Sequence, residues 1–375
     1  MLELLQILVL FYSLGLIAIA LTVSRAKHTS RRDYRPRVSV IIAARNEEPN
    51  IGSCLDAASR LTYPKEMLEV IVIDDRSEDR TSSIIAAYAE RFPFIKRISA
   101  VPGSGQLQGK MNAVTQGIDV SRGEILMFSD ADCRMPDDWV EETVKYYVDE
   151  GVGLVAGFTS LVGKGGLAAV QALDWFGLFS VAAGATQMGF PVTAVGTNLS
   201  VRRAAYDEVG GYRKIPFSVT EDYALFHAVT TQTSYLARFP LDARTLVESK
   251  PCATWKDLYR QRKRWLTGGR GMDLKYLGIF VLVYLMNLLL LLGIFFLPTL
   301  PYVLALLAKI AADLIVALPS LITFRRLPLV RYFLHYEFYF ILYVVYFPLI
   351  VLLGRHIIWK ERSLRSRVRQ QKTPE

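Results

Sequence analysis

At 375 residues the chain could form one large or two modest domains, but 52% hydrophobic residues and a mean hydropathy of +0.26 exclude an ordinary soluble globule, so part of it should lie in lipid. The net charge of +9 raises nucleic acid as a partner. The excess Lys and Arg, however, sits beside apolar segments, at 25–37, 260–270, 325–331 and 355–369; that pattern marks a membrane surface, and no nucleic-acid partner is expected.

Leu2–Val23 is an apolar run of about the ~20 residues that span hydrocarbon, and it predicts a membrane helix within 1–24. A signal peptide is the alternative, but the positive charges follow the run and no small-residue cleavage site stands out. Arg25, Lys27, Arg31 and Arg32 on its carboxyl side place the next domain in the cytosol by the positive-inside rule. Cys54, Cys133 and Cys252 lie far apart without paired spacing, which indicates neither a disulfide framework nor a zinc site and fits a reducing compartment.

From Val38 short apolar runs alternate with amphipathic stretches. Strands are predicted at Val38–Ala44, 68–73, 95–101 and 124–129, and helices at 50–60, 79–92 and 110–120. Helices of this length between strands imply parallel βαβ units and a sheet covered on both faces. The run at 124–129 ends in Asp130-Ala131-Asp132. Strand residues alternate faces, so the two carboxylates should project the same way. Like charges that close are costly unless a cation sits between them, and hard divalent ions take such oxygens together with substrate phosphates. An Asp-rich turn would use the same residues, yet open α/β sheets bind ligands at this end of their strands. Asp74-Asp75-Arg76-Ser77 ends another strand, where a turn with Ser77 or Asp79 capping the next helix is the alternative.

Beyond the amphipathic stretch 139–149 and a strand at 153–158, the segment 165–188 is apolar but punctuated by small residues, with Asp174 and Trp175 inside it. An interfacial helix fits it better than a span. Thr220-Glu221-Asp222 opens a helix, Thr220 being a good N-cap and acidic residues suiting the first turn. Gln261, Arg264 and Trp265, at i, i+3 and i+4, share one helix face and can offer an amide, a guanidinium fork and an indole to one ligand. Arg262, Lys263 and Arg270 read as solvated or membrane-facing charge. The segments 277–297, 302–322 and Phe333–Leu353 are each long enough to span, and Lys309 and Asp313 inside the second are predicted to pair. Three crossings would leave the basic tail outside, against its charge, so one segment is expected to be re-entrant or interfacial.

Five of these motifs, in this order, resemble glycosyltransferase family 2. Val38 to Glu47 looks like the family's opening strand, Asp74-Asp75-Arg76-Ser77 like its uridine-binding loop and Asp130-Ala131-Asp132 like its metal motif. Thr220-Glu221-Asp222 matches its catalytic-base motif and Gln261-Arg262-Lys263-Arg264-Trp265 its Q-x-x-R-W motif. The resemblance covers roughly 38–265. It implies an α/β fold of GT-A type, a mostly parallel sheet with helices on both faces that binds a nucleotide sugar, carried by N- and C-terminal transmembrane helices. The organisation expected is a membrane helix at 1–24, a cytosolic domain at 36–270 with interfacial helices near 165–188 and 254–270, a membrane region at 277–354 and a basic tail at 355–375.

The resemblance assigns Ala43, Arg45, Glu47, Asp75, Lys110 and Asp130 to the donor, and Asp130 and Asp132 to Mg2+ or Mn2+. Asp222 becomes the general base, with Glu221 competing, and Arg264 faces the leaving diphosphate. Gly196, Thr197 and Asn198, with Gln261 and Trp265, face the acceptor. The residues agree in part: Asp75 can accept from a uracil imide, and Glu47 and Lys110 stand at ligand-facing ends of their elements. Together these roles imply an inverting hexosyltransferase moving a sugar from a UDP-sugar to a lipid hydroxyl, multi-pass in the cell membrane with its catalytic domain cytosolic. The architecture resembles both ceramide-glucosyltransferase-like enzymes and processive polysaccharide synthases, and three carboxyl-terminal segments are few for a polymer channel. A non-catalytic nucleotide-sugar-binding membrane partner is disfavoured because the motif carboxylates are all present.

Overall fold

The computed structural model describes residues 1–23, 34–268, 277–353, 357–359 and 362–364. Arg25, Lys27, Arg31, Arg32, Arg270 and nearly all of the basic tail lie outside the described residues. Helix α1 (Leu2–Val23) is followed by β1 (Val38–Ala44), α2 (Glu48–Ser59), β2 (Leu68–Asp74), α3 (Thr81–Arg91), β3 (Ile95–Ser99), α4 (Gly109–Val120) and β4 (Ile125–Asp130). These bounds fall within about two residues of those read from periodicity, the usual scatter of helix and strand ends. Strands β1 and β2 are almost wholly buried, as expected where helices cover both faces of a parallel sheet.

The next elements are α5 (Trp139–Val144), β5 (Val152–Ala156), β6 (Thr159–Leu161), α6 (Gly166–Gln187), β7 (Leu199–Arg202), α7 (Arg203–Glu208) and α8 (Gly211–Lys214). Then come α9 (Glu221–Gln232), β8 (Leu236–Arg238), β9 (Val247–Ser249) and α10 (Trp255–Gly268). The main sheet runs β3-β2-β1-β4-β7-β5-β8, parallel except where β7 lies antiparallel between β4 and β5; β6 and β9 form a small parallel pair. Register positions the site. Ala44 lies opposite Asp74 and Ala43 opposite Asp130, so the carboxyl ends of β1, β2 and β4 finish side by side.

Two local expectations change. Strand β4 stops at Asp130 and Asp132 lies in the following turn, so the shared direction of these carboxylates comes from the turn and not from strand alternation. Thr220 occupies the N-cap of α9 but its side chain makes no capping bond; its hydroxyl contacts Ser218 Oγ instead, at 3.1 Å.

Helices α11 (Leu277–Phe296), α12 (Thr299–Thr323) and α13 (Phe333–Leu353) follow. Among the described residues, Leu2–Val23, Gly166–Gln187, Gly278–Phe296 and Thr299–Thr323 are long and apolar enough to cross a membrane. Leu5 and Val9 of α1 pack with Met286, Leu290 and Ala305, and Leu16 and Ala20 with Ala312 and Val316. Helix α6 differs from the others. It is largely buried, and its apolar surface joins the sheet's core to Ala317, Leu321 and Phe324 at the end of α12 and to Phe333 and Tyr336 of α13. A Cβ at Gly184 would sit 2.5 Å from Ile19 Cγ2 and 2.8 Å from its carbonyl oxygen, so only glycine allows α6 to approach α1 this closely. Lys309 pairs with Asp313 at 2.8 Å as expected, and Glu337 of α13 and Tyr12 of α1 join the same buried network.

Candidate active site

The ends of β1, β2 and β4 open into a cleft of about 200 Å³. Three loops build its floor. Asn46 and Arg76 both adopt positive φ, of 50° and 56°, turning the exits of β1 and β2 toward each other. The Asn46 amide donates to Ser77 Oγ at 3.1 Å and the Glu78 amide to Asn46 Oδ1 at 2.9 Å. Arg45 stretches beneath the second loop, donating to the carbonyls of Asp75 and Arg76 at 2.9 and 3.1 Å. Asp75 is thereby fixed at the cleft with its amide held by the Ala44 carbonyl at 2.8 Å.

Asp130 and Asp132 face the same space. Burial pushes the Asp132 carboxyl up to about 6, with the negative charges of Asp130 and Glu47 adding to it. Lys110, from the first turn of α4, lies 2.5 Å from Asp130 and 2.8 Å from Glu221. Burial alone would lower its pKa; the carboxylates Asp130, Glu221 and Asp222 outweigh that and hold it well above the usual lysine range.

Asp222 enters from the start of α9. Its Oδ2 accepts from the Gly196 amide at 2.6 Å and its Oδ1 from the Tyr223 amide at 2.8 Å. Burial, then the neighbouring charge of Glu221, pushes its carboxyl up to about 6, while Lys110 and the two amides pull the other way. Of these two adjacent carboxylates, Glu221 is engaged by Lys110, whereas Asp222 is held by backbone amides. Gln261, Arg264 and Trp265 of α10 line the opposite wall together, as their shared helix face predicts. Arg262, between them, turns inward to a buried ion pair with Asp174.

Most residues read from the sequence meet here: Ala43, Arg45, Glu47, Asp75, Lys110, Asp130, Asp132, Thr197, Glu221, Asp222, Gln261, Arg264 and Trp265 all line the cleft. Gly196 acts one step behind, through its amide on Asp222. Asn198 does not line the cleft. Its Oδ1 accepts from Trp139 Nε1 at 3.0 Å and its Nδ2 donates to the carbonyls of Phe158 and Thr245, both at 2.8 Å, so its polar atoms tie β5, β6 and β9 together. Trp175, Ser249 and Lys250 also line the cleft, although none belongs to a motif. The one signal for Trp175 is a polar and aromatic pair, Asp174-Trp175, inside an apolar helix.

Comparison with known proteins places this cleft in a family. A model described as "Glycosyl transferase family 2" matches residues 39–210, and one described as "Glycosyl transferase family group 2" matches 125–354. The chain is 33% identical over 255 residues to a probable glycosyltransferase, YdaM, of Bacillus subtilis, covering 65% of this chain and 58% of that one. It is 28% identical over 275 residues to the beta-monoglucosyldiacylglycerol synthase of Trichormus variabilis, covering 70% and 56%. The chain thus spans somewhat over half the length of these relatives. A mannosyltransferase of Pyrobaculum calidifontis, solved with GDP-Man and Mn2+, superposes with a TM-score of 0.56 at 22% identity, covering 90% of this chain and 99% of that one. The fold is therefore of GT-A type.

Proposed function

The chain belongs to glycosyl transferase family 2, and on that premise we propose that it is an inverting glycosyltransferase moving a hexose from a UDP-sugar to the hydroxyl of a membrane lipid. The observation that carries the reading is the convergence of an ordered nucleotide loop, paired carboxylates and a separate amide-held carboxylate on one cleft beside the membrane helices. The acceptor hydroxyl attacks the anomeric carbon, the bond from that carbon to the diphosphate oxygen breaks, and the hydroxyl proton passes to Asp222. Arg264 neutralises the departing diphosphate, for which its guanidinium fork is suited. Asp75 accepts from the uracil imide, and Lys110 fixes Glu221 so that it does not compete for the proton.

Asp130 and Asp132 fit a hard divalent cation, Mg2+ or Mn2+, because both carboxylates face one cleft and the Asp132 carboxyl, raised first by burial and then by the charge of Asp130, would be stabilised in its ionised form by a cation beside it. Among the described residues no set of three His, Cys, Asp or Glu side chains is assembled for a metal, so donor phosphate oxygens would complete the shell. When bound, the cation supplies charge neutralisation to the donor diphosphate. The mannosyltransferase solved with Mn2+ supports this use of the fold.

A lipid acceptor is favoured by the apolar helices packed against the domain and by the relative that is a glucosyldiacylglycerol synthase. We read α6 as interfacial, because β6 before it and β7 after it both belong to the α/β domain and a crossing would separate them. The catalytic domain is then cytosolic at the membrane face, with α10 the second interfacial helix. The test incubates the full-length protein in mixed micelles with labelled nucleotide sugars and a membrane lipid extract. A discrete labelled glycolipid is expected, lost in excess chelator and restored by Mn2+ or Mg2+. A polymer would establish processive synthesis instead, absence of transfer would leave a binding partner, and full activity in chelator would remove the metal.

A further inference from the structure

The Nε1–H of Trp175 and the Oε1 of Gln261, buried atoms on residues lining the cleft, have no hydrogen-bond partner among the described residues. They come from different helices, α6 and α10, which are fastened together beside them. The Trp175 and Trp265 rings lie 5.8 Å apart, the Arg262 guanidinium stacks 4.3 Å from the Trp265 centroid, and Arg262 pairs with Asp174, the residue before Trp175. Trp175 is only 3% exposed and packs edge-on against Phe179 at 5.3 Å. The Trp175 ring is therefore not free to turn away and find water.

A buried donor or acceptor left unsatisfied is destabilising, and the few in native structures need an explanation. Here one atom can only donate and the other, an amide oxygen, can only accept. A single ligand group that serves both is a hydroxyl, with one O–H and two lone pairs. The reacting hydroxyl does not fit this role, because its proton is directed to Asp222 on α9. We propose that Trp175 and Gln261 together hold a second, non-reacting hydroxyl of the acceptor, which makes the preferred acceptor a lipid with a polyhydroxylated headgroup, such as a sugar-bearing lipid. The inference rests on the lipid-acceptor reading above and adds the headgroup class to it.

The test uses the full-length protein in mixed micelles with two probe acceptors, diacylglycerol, whose single hydroxyl is the reacting one, and a monoglycosyl-diacylglycerol, whose sugar offers several. Trp175→Phe keeps a ring against Trp265 and deletes the N–H; Trp175→His restores a ring N–H. With the glycosylated lipid, half-saturation should rise about 5- to 20-fold in Trp175→Phe, the order of one lost hydrogen bond, and recover in part in Trp175→His. The KM for the nucleotide sugar should change far less, and the loss with diacylglycerol should be several-fold smaller than the loss with the glycosylated lipid. Equal losses with both lipids would show a packing role, a change confined to the donor KM would place the hydroxyl on the donor, and no change with the glycosylated lipid would remove it; each overturns the inference. A wild-type protein that glycosylates neither probe nor a total lipid extract overturns the lipid-acceptor reading itself, and the inference falls with it.

Discussion

Lysine stands between two carboxylates in two regions of this molecule. In the cleft, Lys110 lies 2.5 Å from Asp130 and 2.8 Å from Glu221, and its own side chain is 19% exposed. In the helix bundle, Lys309 lies 2.8 Å from Asp313 and against Glu337, with no exposed surface at all. The surroundings decide what each trio can do. Around Lys110 further carboxylates, Asp132, Asp222 and Glu47, face the same open space, and with Asp75, Asp130 and Glu221 they outnumber the cleft's cations Arg45, Lys110, Lys250 and Arg264. A divalent cation therefore has a reason to enter, and with it the anionic diphosphate it would neutralise. Beside Lys309 the Tyr12 hydroxyl donates to Asp313. With Tyr12, that trio bonds α1, α12 and α13 together. Charges in an apolar bundle are tolerated when paired, and there they fix which helix faces meet.

Breaking the first trio's neighbour should cost chemistry without cost to folding. Asp222→Asn is expected to lower glycosyl transfer about 10²–10⁴-fold, the usual contribution of a positioned base, while nucleotide-sugar binding measured by calorimetry stays near wild type. If Glu221→Gln, and not Asp222→Asn, abolished turnover, the base would be Glu221. Breaking the second trio should do the reverse. Lys309→Met leaves Asp313 and Glu337 buried without their cation and should destabilise the bundle by about 3–5 kcal/mol, seen as loss of monodisperse protein in detergent. Adding Asp313→Asn and Glu337→Gln should recover much of it. Recovery of fold without recovery of activity would show that the bundle's charges reach the chemistry.

The pH profile sharpens the comparison further. The proposed base must be ionised to act, and the Asp222 carboxyl is raised to about 6 by burial and then by Glu221. Above that pH the carboxylate accepts the proton; below it the group is already protonated, so kcat/KM should fall about tenfold per pH unit on the acid side. An acid limb that persists unchanged in Asp222→Asn would assign it elsewhere. The smallest effect concerns geometry alone. A Cβ at Gly196 would sit 3.1 Å from Asp222 Cβ and 3.2 Å from its Oδ2, so Gly196→Ala should push the base by a few tenths of an ångström. Transfer should then fall by roughly tenfold, since misplacement near 1 Å can cost about 10², with donor KM unchanged.

Local chemistry was enough for the sequence to announce β1 to β5 and the helices between the first four, while the short β6, β8 and β9 went unread and most of the cleft residues were assigned through the family resemblance. The apolar run of β1, the i, i+3, i+4 face of Gln261, Arg264 and Trp265, and the pairing of Lys309 with Asp313 are properties of neighbouring residues, and periodicity carries them. What it could not carry are contacts between distant residues. Glu337, on the next helix, joins Lys309 only because α12 and α13 pack together. Asn198, whose short amide side chain suits an approaching sugar, commits that amide to Phe158 and Thr245, partners that no spacing reveals. Trp175 of α6 reaches the cleft beside Trp265 of α10, helices joined by the Arg262–Asp174 pair. Asp132 faces the cleft as strand alternation predicts, but the turn after β4 is what aims it there. Secondary structure follows from the next few residues along the chain, whereas the identity of a buried polar group's partner follows from which helices the core brings together, and that was decided by the tertiary structure alone.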